Sequence, residues 1–191
     1  MIDSLFNQSI IQAVFFYAHF TCVTQKLHIH LCNFKVTYMK RDIKLKWFYP
    51  HPVETIWECL TNPDILKQWN LASSGFRAEI GFKWMEVTKP RPKMDWDGKM
   101  YFEVLEVIPL QKLSYSFKGG PSEGVYNLDT VVNWILVPKD GGTELYLEQT
   151  GFKGMKNYIS SFIMEMGWKN KVAKRFQQAL TNFTDDSATV R

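Results

Sequence analysis

Beyond residue 39 the sequence offers few side chains that could act as an acid, a base or a nucleophile. His51 is the one histidine in that part of the chain, and it lies between Pro50 and Pro52. A general base needs an acid, a nucleophile or a substrate within hydrogen-bond reach, and the neighbouring sequence supplies no such partner. We therefore interpret His51 as a turn residue at the start of a helix.

Two further groups could do chemistry but are better explained as structural residues. Asp95 and Asp97 flank Trp96, and as a carboxylate pair they would suit acid/base catalysis or a weak cation site. The sequence Asp97-Gly98 is, however, typical of a hairpin turn. Cys59 adjoins the apolar face of a predicted helix with no nearby His or Lys to activate it, so we interpret it as an inert packing residue.

The segment before Met39 contains three of the four histidines and two of the three cysteines. A zinc site is usually built from two short ligand pairs separated by a long gap, and this segment has no second pair and no turn that would fold one in. The sequence predicts no metal, no cofactor and no catalytic constellation, since phosphate loops and nucleophile elbows are missing as well. The potential ligands, interpreted as incidental, are His19, Cys22, His28, His30 and Cys32.

Composition excludes several classes of protein. The chain has 191 residues, a net charge of +4 and no dominant cluster of Lys and Arg, so the sequence does not favour nucleic-acid binding. Three scattered cysteines do not form a disulfide framework, which predicts a reducing, cytoplasmic setting. The apolar stretch Ile10 to Val23 is interrupted by polar residues and is shorter than the roughly 20 residues of a membrane-spanning helix.

The frequency of charged residues along the chain changes near Met39. Before that residue only Asp3, Lys26 and Lys35 are charged, whereas the rest has the charge density of an ordinary protein surface. We expect residues 1–38 to be a poorly ordered extension or the product of a misassigned start. Residues 39–182 are expected to form one domain, and the polar residues 183–191 a frayed tail.

Apolar periodicity predicts the elements that would position any site. Alternation from Ile43 to Tyr49 indicates a strand, and two short amphipathic helices follow, beginning at Pro52 and at Asn62. A long helix follows Gly154, and its apolar side is predicted to contain Ile159, Phe162, Ile163, Met166, Ala173, Phe176 and Leu180. Between these helices the sequence predicts strands at 76–80, 82–88, 99–107, 112–117, 130–137 and 143–150.

In this arrangement the sequence resembles the helix-grip fold of the START and birch-pollen-allergen superfamily, and more closely the family named after the activator of heat-shock protein 90 ATPase. The resemblance is carried by "FYPHPVETIWECLTNPDILKQW", "WDGKMYFEVLEVIPLQKLSYSF", "LDTVVNWILVPKDGGTELYLEQTGF" and Gly167-Trp168. It implies an α+β fold with a curved antiparallel sheet of six to seven strands around the C-terminal helix. Members of the family often have His at the position of Gln149, and the co-chaperone activators carry a further N-terminal domain.

The resemblance also implies an apolar cavity between the sheet and the long helix. We therefore expect a non-enzymatic module that binds a hydrophobic small molecule or lipid. An enzyme similar to polyketide cyclases and dehydratases, with Gln149, Tyr115 or Asp97 polarising the substrate, is the alternative, and a protein that contacts a chaperone is the third. The expected cavity-lining residues are Trp69, Phe82, Trp84, Phe102, Tyr115, Phe117, Trp134, Leu147, Gln149, Phe162, Met166 and Trp168.

Overall fold

The computed structural model describes residues 40–70 and 75–189. The potential metal ligands of residues 1–38 therefore lie outside the described residues. The elements follow the order β1 (Lys40–Tyr49), α1 (Val53–Thr61), α2 (Pro63–Trp69), β2 (Lys83–Val87), β3 (Lys99–Ile108), β4 (Lys112–Gly119), β5 (Leu128–Lys139), β6 (Gly142–Lys153), α3 (Gly154–Gly167), a π-helical segment (Trp168–Val172) and α4 (Ala173–Thr189). Among the described residues no helix is both long enough and apolar enough to cross a membrane.

The six strands form one antiparallel sheet in the order β1-β6-β5-β4-β3-β2, which confirms the predicted helix-grip architecture. Alternate residues of β5 face the core, as the period of two requires. In β5 the buried residues are Leu128, Thr130, Val132, Trp134 and Leu136. The sequence Asp140-Gly141 forms the β5–β6 turn, with Gly141 at a φ of 78°.

The predicted strand at 76–80 is absent from the structure. The Phe82 amide donates to the Glu79 carbonyl at 3.0 Å, and Gly81 adopts a φ of 86°, so the chain turns just before β2. Phe76 is nevertheless buried, with its ring centroid 5.1 Å from that of Trp84 in an edge-to-face contact. A buried aromatic residue in a coil produced the apolar pattern that predicted a strand.

Capping and packing fix the two short helices beside the sheet. The Asn62 side chain accepts a hydrogen bond from the Asp64 amide at 2.9 Å, which caps α2, and Pro63 occupies its first turn. The Trp69 indole donates to the Cys59 carbonyl at 2.8 Å and ties the end of α2 to α1. This contact buries Trp69 and leaves Asn70 beside it at the edge of the core.

The C-terminal helical stretch changes partners at the π-helical segment. Before it, α3 packs over β1 and β6; after it, α4 packs over α1 and α2. The extra residue in a π-helical turn rotates α4 by about 100° relative to an uninterrupted α-helix. Phe176, Ala179 and Leu180 are the buried residues of α4, whereas Ser161 and Trp168 are the buried residues of α3 and the π-helical segment.

The same rotation corrects the predicted apolar side of this helix. Phe162 is 45% exposed and Met166 is 63% exposed, and both lie on an outward face together with Met155 and Ile159. A uniform α-helical period places Phe162 and Phe176 on one side, but the π-helical segment separates them. Phe162 is instead covered by the guanidinium of Arg41, 3.8 Å from the ring centroid.

Candidate functional site

Two adjoining cavities lie between the sheet and the C-terminal helical stretch. Cavity A has a volume of about 320 Å³ and is lined by Trp69, Asn70, Trp84, Met100, Phe102, Tyr115, Phe117, Met164, Gly167, Trp168, Lys171, Val172 and Arg175. Cavity B has a volume of about 340 Å³ and is lined by Thr88, Lys89, Arg91, Asp95, Trp96, Met100, Phe117, Gly119, Asn127, Leu128, Lys156, Asn157, Ser160, Ile163 and Met164. Each volume lies at the lower end of the range for small-molecule sites.

Three side chains line both cavities and therefore form the boundary between them: Met100, Phe117 and Met164. Met100 and Phe117 belong to the rigid sheet, whereas Met164 comes from α3. An unbranched thioether side chain adapts its shape more easily than a β-branched or aromatic one. Met164 is thus the adaptable part of the boundary.

Stacked and edge-to-face rings form the sheet side of cavity A. Trp84 stacks on Phe102 with ring centroids 4.8 Å apart, and Phe102 and Phe117 meet edge to face with centroids 4.9 Å apart. Such pairs hold aromatic rings in fixed relative orientations. The resulting wall is rigid and apolar, and it is suited to a hydrophobic ligand.

Two polar groups meet on the wall of cavity A. The Tyr115 hydroxyl accepts a hydrogen bond from the Trp134 indole at 3.2 Å and also interacts with the Asn70 side chain. Burial raises the pKa of Tyr115 to about 12, so this phenol stays protonated at neutral pH. It can form hydrogen bonds with a bound molecule but cannot act as a base.

Gln149 lies beneath this wall and lines neither cavity. It is completely buried; its amide donates to Thr130 Oγ1 at 2.9 Å, and its carbonyl oxygen accepts from the Trp168 indole at 2.8 Å. A weak contact joins the same amide to the Met164 sulfur at 3.9 Å. Gln149 therefore positions Trp168 and Met164, which line the cavities.

The mouth of cavity B is bridged by an ion pair. Lys156 of α3 contacts Asp95 at 2.6 Å, and Asp95 adopts a left-handed φ of 52° in the β2–β3 connection. Asp97 instead accepts a hydrogen bond from the Lys99 amide at 2.8 Å. Asp95 therefore pairs with a lysine of α3, whereas Asp97 binds a backbone amide at the start of β3. Asp97 does not line either cavity.

Gly119 makes room for the indole of Trp96 beside cavity B. A Cβ at Gly119 would lie 2.3 Å from a ring carbon of Trp96, far inside van der Waals contact. The Trp96 indole donates to Thr88 Oγ1 at 3.2 Å, which fixes the ring beside the end of β2. Glycine at this position is thus required by the close approach of a tryptophan.

Half of the predicted lining residues surround cavity A: Trp69, Trp84, Phe102, Tyr115, Phe117 and Trp168. Phe82 packs behind Trp84, and Trp134 and Leu147 are buried in the core below the cavities. Phe162 and Met166 lie on the outward face of α3.

Sequence reasoning missed Met100, Met164 and the polar residues at the rims of the cavities. Met100 could have been found, because it alternates with Phe102 on β3. Lys171 and Arg175 also carry a signal, since their spacing of four residues places two cations on one side of a helix. Met164 carries no comparable signal, because its place depends on the helical phase that the π-helical segment alters.

The other chemical candidates in the described part of the chain have structural roles. His51 lies in the β1–α1 turn, and its carbonyl accepts a hydrogen bond from the Thr143 hydroxyl at 2.8 Å. Cys59 is buried, and burial raises the pKa of its thiol to about 12. No group of His, Cys, Asp and Glu suited to a metal ion occurs among the described residues.

A larger hollow, of about 440 Å³, lies on the opposite, outer face of the sheet. It is a more open depression, lined by charged residues such as Lys83, Glu103 and Lys118. Lys83 and Glu103 are 3.7 Å apart and largely solvated. Its shape and polarity are those of a solvated surface, so cavities A and B are the better candidates for a ligand site.

Comparison with known proteins identifies relatives of this domain. The sequence profile of the family described as activator of Hsp90 ATPase homolog 1-like protein matches residues 50–181. No match was found among curated proteins.

Several solved structures share the fold. MLL2253 from Mesorhizobium loti is 28% identical with a TM-score of 0.62, over 74% of this chain and 98% of that one. BH1534 from Bacillus halodurans is 21% identical with a TM-score of 0.58, over 75% and 98% of the two chains. DynU16, a protein of the dynemicin biosynthetic locus, is 20% identical with a TM-score of 0.55, over 73% and 47%.

Proposed function

Since the chain belongs to the family of activator of Hsp90 ATPase homolog 1-like proteins, we propose that it uses the cavities of that fold to hold a hydrophobic small molecule or lipid. The observation that carries the proposal is the pair of adjoining cavities A and B beneath α3 and the π-helical segment. An aromatic wall already held in place by its own contacts loses little entropy when a ligand binds. A cytoplasmic location remains a prediction from the cysteine content.

The proposal is tested with the neutral dye Nile red and a variant that narrows cavity A. Val172 lines this cavity and is half-buried, so Val172→Phe places additional ring atoms in the ligand space. Ile159→Phe adds the same ring to the outward face of α3 and serves as the matched control. We expect wild type and Ile159→Phe to bind the dye. Val172→Phe should bind it roughly ten-fold more weakly or worse, because the added ring occupies space that the dye needs.

The readouts are the emission of the dye and the melting temperature, with Trp69, Trp84 and Trp168 as intrinsic reporters in cavity A. If wild type fails to bind Nile red and a panel of lipids, or if Ile159→Phe abolishes binding while Val172→Phe does not, the cavities are not the ligand site.

A second candidate is an enzyme that orients a substrate for intramolecular condensation, as polyketide cyclases do. The favouring observation is the meeting of Tyr115 and Asn70 on the wall of cavity A, where two polar groups could hydrogen-bond to a carbonyl oxygen. Gln149 and Asp97, the other residues considered for this role, do not line either cavity.

The condensation candidate predicts a defined product. A linear polyketone thioester would form a carbon–carbon bond between an enolisable carbon and a ketone carbon and then lose one water, which mass spectrometry detects. Tyr115→Phe should slow this loss of water, whereas a pure binding module leaves the thioester unchanged.

Contact with a chaperone, the third possibility, rests on the family's description alone, and an unchanged chaperone ATPase rate at saturating protein would exclude that role.

A further inference from the structure

Cavity A combines an apolar interior with a cationic mouth. Lys171 and Arg175 line the cavity and are both exposed, so their charged ends lie at its opening. They are four residues apart on the π-helical segment and α4. The deeper lining is aromatic and aliphatic apart from Asn70 and Tyr115.

These two cations are not neutralised by the rest of the described chain. None of the ion pairs between described residues includes Lys171 or Arg175. The neighbouring Lys169 shows the contrast, because it contacts Glu165 at 2.5 Å. Glu165 in turn also pairs with Arg41, and these two partners lower the pKa of its carboxyl group.

No acidic side chain lines cavity A. Cavity B contains Asp95, which is paired with Lys156, and its lining also includes Lys89 and Arg91. Positive charge at the mouth of a cleft with low-dielectric walls attracts anions and repels cations. A guanidinium also binds a carboxylate through two parallel hydrogen bonds. The site therefore favours a ligand that has a negative charge as well as an apolar body.

We propose that the ligand of cavity A is an amphiphilic anion, with its apolar tail or ring against the aromatic wall and its acidic head at Lys171 and Arg175. This inference rests on the proposed binding function and specifies the chemical class of the ligand. A carboxylate is the simplest such head group.

Three probes with the same twelve-carbon chain test the proposal: dodecanoate, dodecanol and dodecyltrimethylammonium, each below its aggregation concentration. Dodecanol is the most apolar of the three, so a purely hydrophobic site would prefer it. We expect dodecanoate to bind about ten-fold more tightly than dodecanol and the ammonium compound to bind most weakly. The preference for dodecanoate should decrease as salt is added, because these charges lie at the surface.

The variant that removes the cationic mouth is Lys171→Gln with Arg175→Gln, and the control is Lys139→Gln with Lys174→Gln. Both pairs are exposed and both remove two positive charges, but Lys139 and Lys174 do not line a cavity. The first pair should abolish the preference for dodecanoate over dodecanol, and the control should retain that preference.

The outcomes separate this inference from the proposed function. If dodecanol binds as tightly as dodecanoate, or if the control pair has the same effect as the cavity pair, the ligand class is wrong although the binding module stands. If none of the three probes binds, the inference and the proposed function fail together.

Discussion

At the scale of single residues, Gln149 organises the polar contacts under the C-terminal helical stretch. It connects Thr130 of β5 with Trp168 of the π-helical segment, and every one of these groups is buried. Buried polar groups that are fully hydrogen-bonded fix a unique arrangement, whereas unpaired ones destabilise the fold. The orientation of Trp168, and with it the shape of cavity A, depends on this glutamine.

Gln149→Leu should therefore destabilise the protein by about 1 to 3 kcal/mol, because it leaves the Trp168 indole N–H buried without an acceptor. Urea denaturation measures this loss. The control is Glu148→Gln, which alters only a surface pair with Lys44 at 3.2 Å and should cost less than about 1 kcal/mol. Equal stability of Gln149→Leu and wild type would show that the buried hydrogen bonds contribute nothing.

Because Tyr115 is buried, the free energy of unfolding depends on pH in the alkaline range. An ordinary tyrosine ionises near pH 10. Burial raises the pKa of Tyr115 to about 12 in the folded protein, so the folded state retains a proton that the unfolded chain releases. By linkage, the stability attributable to Tyr115 is complete below about pH 10 and is lost as pH rises from there toward 12.

Tyr115→Phe should accordingly show a shallower decline in the free energy of unfolding between about pH 10 and 12 than wild type. Tyr49 contributes in the same direction, since burial raises its pKa as well, so part of the decline remains. Absorbance titration of folded wild type gives an independent readout. A Tyr115 phenolate that forms near pH 10 in the folded protein would contradict the burial argument.

At the scale of elements, the important feature is that α3 helps to separate cavity A from cavity B. Its Met164 forms the adaptable boundary between cavities A and B, and the sheet residues Met100 and Phe117 form the rest. Removing the end of a methionine side chain leaves a void, and here the void would join two existing spaces. The length of ligand that the site accepts should therefore depend on residue 164.

Met164→Ala should improve binding of hexadecanoate relative to dodecanoate by about five-fold, because the longer chain can extend from cavity A into cavity B. Met166→Ala, on the outward face of α3, is the matched control and should leave the ratio unchanged. Isothermal titration with both fatty acids measures the two affinities. A ratio that stays the same in Met164→Ala would show that the cavities do not communicate through this residue.

The predicted elements show which features of this fold the sequence specifies. The predicted strands locate β1 to β6, because alternation depends on local backbone geometry. The hairpin turn predicted at Asp97-Gly98 was wrong: the chain reverses earlier, at Pro92–Asp95, and the Gly98 carbonyl accepts a hydrogen bond from the Thr88 amide at 2.6 Å. The strand at 76–80 was wrong because a coil with a buried aromatic residue can imitate alternation. The π-helical segment was not predicted, since one additional residue in a helical turn does not alter which residues are apolar.

The site was predicted less completely than the fold, for a related reason. The resemblance to the helix-grip fold implied that Phe102, Tyr115 and Phe117 line a cavity, and in the structure they line cavity A. The helical residues depend on a phase that the π-helical segment changes, and Phe162 and Met166 were therefore assigned to the wrong side. The rim cations were overlooked because a charged residue beside an apolar stretch is ordinarily a solvated one.

At the scale of the whole molecule, we expect the domain to be stable without residues 1–38. The strand β1 begins at Lys40 and pairs with β6, and the family profile begins at residue 50. A chain that starts at Met39 should melt within a few degrees of the full chain. A fall of more than about 10 °C, several times the shift from a 1 kcal/mol change in a domain of this size, would show that the segment is structural.

The central claim is that a ligand lies between the sheet and α3, and methionine-methyl NMR during titration with dodecanoate tests it most directly. Met100 and Met164 line the cavities, whereas Met155 and Met166 are 58% and 63% exposed on the outward face of α3. Single Met→Leu substitutions assign the four methyl signals. The account predicts saturable shifts of Met100 and Met164, with Met155 and Met166 unchanged. Shifts confined to Met155 and Met166 would place the ligand on the surface of the helix and contradict the account.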